Sequence, residues 1–274
     1  MIAGTDWTGF VGDVWASEWR RTDRSFGNLT HQLETAILAA APMGPFRALD
    51  IGCGAGATSL ALATARPDAK VVGVDLSQAL VEIARNRLAG LRNCRVEQGD
   101  VLTAAAAIRP DLLISRHGVM FFADPVAAFA SLRAAAAPGA TLVFSCFGLR
   151  KDNRFATLID ELAPPAPVAA DEPGPFAFAD PERVADILTR AEWRPDARQR
   201  VPFAYRAGAG DDPIADAVSF LSRIGPAAAA LRDAPDPNAL RLALAGALAH
   251  YRVGDAVDLP ALGWIWRAQA GEAA

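Results

Sequence analysis

A glycine-rich turn between a short apolar strand and a helix is the feature that most constrains this chain. The segment at positions 48–58 reads ALDIGCGAGAT. Side chains in place of Gly52 or Gly54 would block the close approach of a ligand to the backbone. The start of the following helix presents free N–H groups and a partial positive charge. The turn therefore predicts a site for a nucleotide-like ligand.

The same glycines fit two binding motifs. Gly52, Gly54 and Ala57 satisfy the dinucleotide fingerprint G-x-G-x-x-G/A. Gly52, Gly54 and Gly56 also form G-x-G-x-G, with the acidic Asp50 two residues before the first glycine. The glycines alone therefore leave both motifs open.

Carboxylates follow the next two predicted strands. Asp75 ends the second strand, where a carboxylate can accept both hydroxyl hydrogens of a ribose, in NAD enzymes and in S-adenosylmethionine (SAM) enzymes alike. Asp100 lies just beyond the third strand, beside the expected position of an adenine, whose exocyclic amine it can bind. Asp100 therefore favours SAM as the ligand. Asp50, Asp75 and Asp100 together give the mouth of the site three carboxylates.

Short apolar runs alternate with helical patterns from Arg47 onward, which predicts a doubly wound parallel α/β sheet with helices on both faces. Ser77 and Asp124 are expected to cap two of the helices. The predicted strands are 48–51, 70–74, 95–97, 111–115, 141–147, 198–206 and 259–267. The predicted helices are one capped by Asn28, one that starts at Asp180-Pro181, and those at 57–65, 77–89, 124–137, 213–224 and 237–251.

The composition of the chain limits the kinds of partner that it can bind and the cellular compartment in which it is expected. The net charge is −4, so no general positive field attracts nucleic acid. The start has no basic segment followed by an apolar run, and no stretch of eighteen apolar residues lacks a charge, so we expect no membrane span. Cys53, Cys94 and Cys146 show no spacing typical of a metal site or a disulfide framework, which favours a reducing cytoplasm.

These segments resemble the class I SAM-dependent methyltransferases. Beyond the glycine turn, the run ISRHGVMFFADP at 114–125 is similar to the segment after strand four in bacterial small-molecule members, as are 132–147 and 174–181. The resemblance implies a Rossmann-like sheet with strand order 3-2-1-4-5-7-6, and SAM as cofactor with S-adenosylhomocysteine (SAH) as product. The cofactor residues that it implies are Asp50, Gly52, Cys53, Gly54, Gly56, Asp75, Leu76, Asp100, Val101, Ser115 and Arg116.

Within that set, the resemblance implies a part of the cofactor for several residues. The three glycines would face the methionine part, Asp75 the ribose and Leu76 the face of the adenine. Asp100 and Val101 would lie at the adenine edge. The resemblance divides the chain into an N-terminal helical cap (1–42), a SAM-binding core (43–149) and a segment that completes the sheet (150–274), within one structural domain. A helical insertion at about 210–255 would lie near the acceptor site.

Methyl transfer is an in-line displacement, so alignment of donor and acceptor can supply most of the catalysis. His117 follows strand four and is a candidate base for a hydroxyl acceptor, titrating near neutrality; its alternative role is packing or contact with the donor. Trp15 and Arg20 belong to an aromatic and basic cluster that either packs on the domain or closes over the donor, with an arginine pairing the donor's carboxylate.

We therefore expect a cytoplasmic SAM-dependent methyltransferase, monomeric or homodimeric, with a small-molecule acceptor and no metal. An NAD-dependent oxidoreductase is the first alternative, although Tyr205 and Tyr251 have no lysine nearby for a catalytic Tyr-Lys pair. A non-catalytic SAM-binding scaffold is the second alternative. It would bind the donor behind an acceptor side closed by bulky residues.

Overall fold

A computed structural model describes residues 6–164 and 172–271 of the chain. These residues form one mixed sheet around which the helices pack. Its strands are β1 (Arg47–Ile51), β2 (Lys70–Asp75), β3 (Cys94–Gln98), β4 (Leu112–Arg116), β5 (Thr141–Phe147), β6 (Trp193–Ala209), β7 (Arg252–Val253) and β8 (Ala256–Ala270).

The strands lie in the order β3-β2-β1-β4-β5-β8-β6, with the short β7 paired beside β8. The first five strands are parallel, and β8 is antiparallel to both β5 and β6. Because β7 is a two-residue addition, this order matches the expected 3-2-1-4-5-7-6 and confirms the Rossmann-like fold. The central strands are almost wholly buried and apolar, as parallel strands covered on both faces must be.

Helices cover the sheet in contiguous layers. In chain order they are α1 (Phe10–Ser17), α2 (Trp19–Ala40), α3 (Ala57–Ala65), α4 (Gln78–Leu88), α5 (Val101–Ile108), α6 (Pro125–Ala135), α7 (Arg154–Leu162), α8 (Pro181–Arg190), α9 (Pro213–Leu221), α10 (Gly225–Asp233) and α11 (Pro237–Ala249). One layer contains α2, α3 and α4, and another contains α5, α6 and α8. The expected caps are present, since Ser77 accepts the Leu80 N–H and Asp124 accepts the Ala127 N–H.

The N-terminal segment differs from its prediction. The helix expected to begin after Asn28 begins at Trp19 instead and passes through a kink at Gly27, where φ is 37° and ψ is −116°. Leu29, Leu33 and Ile37 are buried beyond the kink, which holds this half of α2 against the sheet. Trp15 on α1 and Trp19 and Thr22 before the kink lie near the carboxyl ends of β2 and β4.

No single helix in the described ranges is long and apolar enough to cross a membrane. The consecutive helices α9 and α10 satisfy the length and composition test only as a pair, and they are bent by 72°.

Candidate active site

A cavity of about 560 Å³ lies where the carboxyl ends of the parallel strands meet. The glycine turn and the ends of β2 and β4 form one part of its lining, and aromatic side chains from several elements form another. Ligands of open α/β sheets bind at this edge. The cavity brings together Trp15, Gly52, Cys53, Gly54, Asp75, Leu76, Asp100, Val101, Arg116 and His117 from the expected site residues, and leaves Arg20, Asp50, Gly56 and Ser115 outside its lining.

The three glycines of the turn have different surroundings. All have positive φ, at 61° for Gly52, 54° for Gly54 and 79° for Gly56. A Cβ added at Gly54 would meet nothing within 4 Å, whereas one at Gly52 would lie 3.2 Å from the Gly118 Cα. A Cβ added at Gly56 would lie 3.0 Å from the Ala84 Cβ on α4. Gly54 therefore leaves open space for a ligand, whereas Gly56 serves close helix packing instead of facing the cavity.

Asp75 links the glycine turn to the start of α4. One carboxylate oxygen accepts the Gly54 N–H at 2.8 Å, and the other accepts the Ser77 N–H at 2.9 Å. Burial raises the pKa of Asp75, and the backbone hydrogen bonds oppose that rise. Each carboxylate oxygen retains a further lone pair. The side chain is thus fixed in place and still able to accept hydroxyl groups of a bound ribose.

Asp100 combines a helix cap with a place in the cavity lining. Its Oδ1 accepts the Leu102 N–H at 2.8 Å as the N-cap of α5, and the residue is exposed. Val101 and Leu76 line the cavity with it, and Leu76 is 39% exposed. An apolar surface beside a carboxylate suits the ring and the amine of an adenine.

Asp50 lies behind the glycine turn. Its Oδ2 accepts the Ser59 hydroxyl at 2.7 Å, while its Oδ1 is buried and has no partner among the described residues. Burial raises its pKa to about 7, against the lowering effects of the Ser59 bond and of Arg116.

Cys53 lines the cavity, but burial raises the pKa of its thiol well above the ordinary value. The thiol therefore stays protonated and is a poor nucleophile.

Ser115 and Arg116 end β4 with different roles. The Ser115 hydroxyl donates to the Ile51 carbonyl at 2.8 Å and accepts the Gly118 N–H at 3.2 Å. Ser115 thus ties β4 to β1 from outside the cavity lining. Arg116 lines the cavity, donates from Nη2 to Asp23 at 2.6 Å and lies over the Phe26 ring. Its Nη1 is buried without a partner in the described part of the chain.

His117 is buried and lines the cavity. Its backbone has φ 64°, which is uncommon for a residue other than glycine. The Nδ1 atom lies 2.9 Å from the Ser145 hydroxyl, and Nε2 is buried with no partner in residues 6–164 or 172–271. Desolvation, with a smaller effect of the Arg116 charge, lowers the pKa of His117 to about 3. The expectation that His117 titrates near neutrality is therefore wrong, and its imidazole is neutral.

The N-terminal helices cover one side of the cavity. Trp7, Trp15 and Trp19 line it, with the Trp7 ring 5.0 Å from that of Phe121. Arg20 stacks on Trp19 and is exposed to solvent, so its side chain does not reach the cavity.

Asp23 on α2 is a site residue that sequence reasoning missed. Its carboxylate pairs with Arg116 at 2.6 Å and with Arg87 at 3.0 Å. Arg87 also donates to the Ala55 carbonyl of the glycine turn. These contacts fasten α2 to both the turn and the end of β4. In the chain, Asp23 has the ordinary appearance of a charged residue on a helix, and no motif distinguishes it.

Across the described ranges, no group of three or more His, Cys, Asp or Glu side chains is arranged to hold a metal ion. The described lining of the cavity includes carboxylates, one arginine, one histidine and several aromatic rings.

Comparison with known proteins places this site in a family. Residues 45–169 match the family described as "Methyltransferase domain". Trans-aconitate 2-methyltransferase of Variovorax paradoxus is 37% identical over 154 residues, 56% of each chain. Malonyl-[acyl-carrier protein] O-methyltransferase of Halalkalibacterium halodurans is 29% identical over 154 residues, 55% of this chain and 53% of that protein. The chain thus spans about half the length of the curated relatives it matches.

The crystal structure of the YcgJ protein from Bacillus subtilis superimposes with a TM-score of 0.56 at 17% identity, covering 89% of this chain and 100% of that one. This similarity extends the shared fold beyond the matched domain to most of the chain. The domain match, the homologous methyltransferases and the strand order agree with one another. These findings support a methyltransferase domain of the class I SAM-dependent type over residues 45–169 of the chain.

Proposed function

We propose that this chain transfers a methyl group from SAM to a small organic acceptor in the cytoplasm, as a monomer or a homodimer. One observation carries the proposal: a single cavity joins the glycine turn and Asp75 to a set of aromatic side chains around His117. Donor and acceptor can therefore occupy adjoining parts of one cavity. Three thiols and no described disulfide agree with a reducing compartment.

Gly54 in the glycine turn and Asp75 at the end of β2 both suit the binding of SAM. Open space at Gly54 allows the ligand to approach the backbone, and Asp75 has free lone pairs for two ribose hydroxyls. Asp100, Val101 and Leu76 would hold the adenine. When bound, SAM would supply a methyl group attached to a sulfonium. The acceptor's nucleophilic atom would bond to the methyl carbon as the carbon–sulfur bond breaks and leaves its electron pair on sulfur.

The chain contributes mainly alignment. The fixed Asp75 carboxylate orients the donor, and the aromatic side chains and His117 orient the acceptor while excluding water. Alignment of this kind lowers a barrier by roughly 7–11 kcal/mol. Because the His117 pKa is about 3, the neutral ring would act as a hydrogen-bond partner to the acceptor. A proton released from a hydroxyl or amine acceptor would pass to solvent.

Thermal unfolding with SAH and with NAD tests the proposal. At a hundredfold excess over Kd, a ligand adds about 2.7 kcal/mol to the free energy of unfolding. We expect SAH to raise Tm by roughly 5–10 °C for a chain of this size. An increase with NAD and none with SAH would overturn the proposal in favour of an oxidoreductase.

A further inference from the structure

We propose that the methyl acceptor is an uncharged molecule built on an apolar or aromatic ring, and that it carries a hydroxyl group bound by His117. This inference rests on the proposed methyl transfer and adds the class of acceptor. It is carried by the shape, charge and unpaired polar atoms of the cavity next to the glycine turn.

Aromatic rings surround His117. The ring centroids of Phe26 and Phe147 lie 4.6 and 4.4 Å from that of the imidazole. Phe155 continues the array, 5.0 Å from Phe147 and 4.6 Å from Tyr205, and all five residues line the cavity. They come from α2, the end of β4, the end of β5, α7 and β6, so five separate elements contribute rings to one part of the cavity lining. Stacked or edge-on ring contacts favour a flat apolar ligand.

The charge of the lining opposes an anionic acceptor. Among the residues that the structure describes, Arg116 is the one lysine or arginine that lines the cavity, and Asp23 already pairs with it at 2.6 Å. The positions outside the described ranges contain no lysine or arginine. Asp75 and Asp100 add negative charge to the same lining. A polycarboxylate would therefore lose its hydration and gain at most one cation, Arg116, which already pairs with Asp23, and this exchange is costly for several negative charges.

Three residues that line the cavity have a polar atom without a partner. The His117 Nε2, the Thr22 Oγ1 and the Arg116 Nη1 are buried and unpaired in the described part of the chain. Buried polar groups in proteins are normally hydrogen-bonded, so an unpaired one at a cavity points to a ligand. A neutral imidazole exchanges a single hydrogen bond with a hydroxyl, whereas a carboxylate is better matched by a cation.

Calorimetry on the SAH-saturated protein tests this class with two probes, 2-naphthol and citrate. We expect 2-naphthol to bind and citrate, at the same ionic strength, to show no binding. His117→Asn should weaken 2-naphthol binding by about three- to tenfold, the effect of one lost hydrogen bond, with SAH affinity unchanged. Asparagine tolerates the positive φ of this position. His250→Asn, an exposed position, is the matched control and should change neither affinity.

Phe155→Leu is a second variant, which shortens the aromatic array away from the glycine turn and should also weaken 2-naphthol binding. Binding of citrate without 2-naphthol would overturn the inference, as would unchanged 2-naphthol affinity in both variants. Absence of SAH binding to the unmodified protein would contradict the proposed function instead, so the two failures are distinguishable.

Discussion

Replacing Asp75 with alanine removes the side chain that the structure fixes between the glycine turn and α4. Two backbone N–H groups, those of Gly54 and Ser77, lose their acceptor at 2.8 and 2.9 Å. A bound ribose would lose charge-assisted hydrogen bonds worth about 1.5–3 kcal/mol each. Loss of one such bond weakens binding by a factor of ten or more, since 1.4 kcal/mol is tenfold. We therefore expect the affinity for SAH to fall at least tenfold.

The free energy of unfolding should fall only moderately in the Asp75→Ala variant. Unpaired N–H groups cost free energy, but the variant also removes the burial of the carboxylate, which raises the pKa of Asp75. We expect the free energy of unfolding to fall by about 1–3 kcal/mol, so the variant stays folded for calorimetry with SAH. Asp180→Ala is the matched control, because Asp180 accepts the Glu182 N–H at the start of α8, does not line the cavity and is exposed. An SAH affinity within twofold of the unmodified protein in a folded Asp75→Ala variant would refute the assignment.

Three further predictions concern titration and the N-terminal helices. Burial raises the pKa of Asp50 from 3.8 to about 7, so the protonated Asp50 stabilises the folded state fully below pH 4, and this stabilisation is lost as the pH rises to 7. In urea unfolding, the free energy of unfolding of Asp50→Asn should rise by up to about 4 kcal/mol relative to that of the unmodified protein between pH 4 and pH 7. The pKa of His117 is lowered from 6.5 to about 3, so stability falls as pH drops below 6.5, and His117→Asn should show a shallower loss between pH 6.5 and 4.5; equal slopes would contradict the buried neutral ring. Asp23→Ala removes the ion pairs with Arg87 and Arg116. This variant should show increased acrylamide quenching of tryptophan fluorescence and weaker SAH binding. Unchanged quenching would argue against a role of Asp23 in holding the N-terminal helices over the cavity.

Much of the sheet could be predicted because its central strands are short, apolar and buried on both faces. The edge strand β6 could be predicted only in part. The pattern indicated 198–206, whereas the strand extends over Trp193–Ala209, with a register shift after Pro195. Its first half is largely exposed and polar, so it lacks the alternation that identifies a strand, and pairing with β8 holds it in place.

The sequence pattern does not predict four of the described helices, α1, α5, α7 and α10. The alanine-rich α5 has a weak polar face, and its cap, Asp100, was interpreted only as a ligand residue. Local periodicity identifies a helix when one face differs from the other. It gives little signal where a run such as 101–108 is apolar nearly throughout.

Some of the site residues could be predicted from the sequence, and others could not. Asp75 and the glycines could be predicted because a strand end and a turn are local in sequence. The Asp23–Arg116 pair joins residues 93 positions apart, and the low pKa of His117 arises from burial among Phe26 and Phe147 on other elements. Such properties depend on tertiary packing, which residue spacing does not record.

A crystal structure of the SAH complex tests the central claim most directly. The account predicts SAH in the cavity at the carboxyl ends of the strands, with its ribose hydroxyls within about 3 Å of the Asp75 carboxylate and its adenine beside Asp100. SAH bound outside the cavity, or within it with the ribose away from Asp75, would contradict the account.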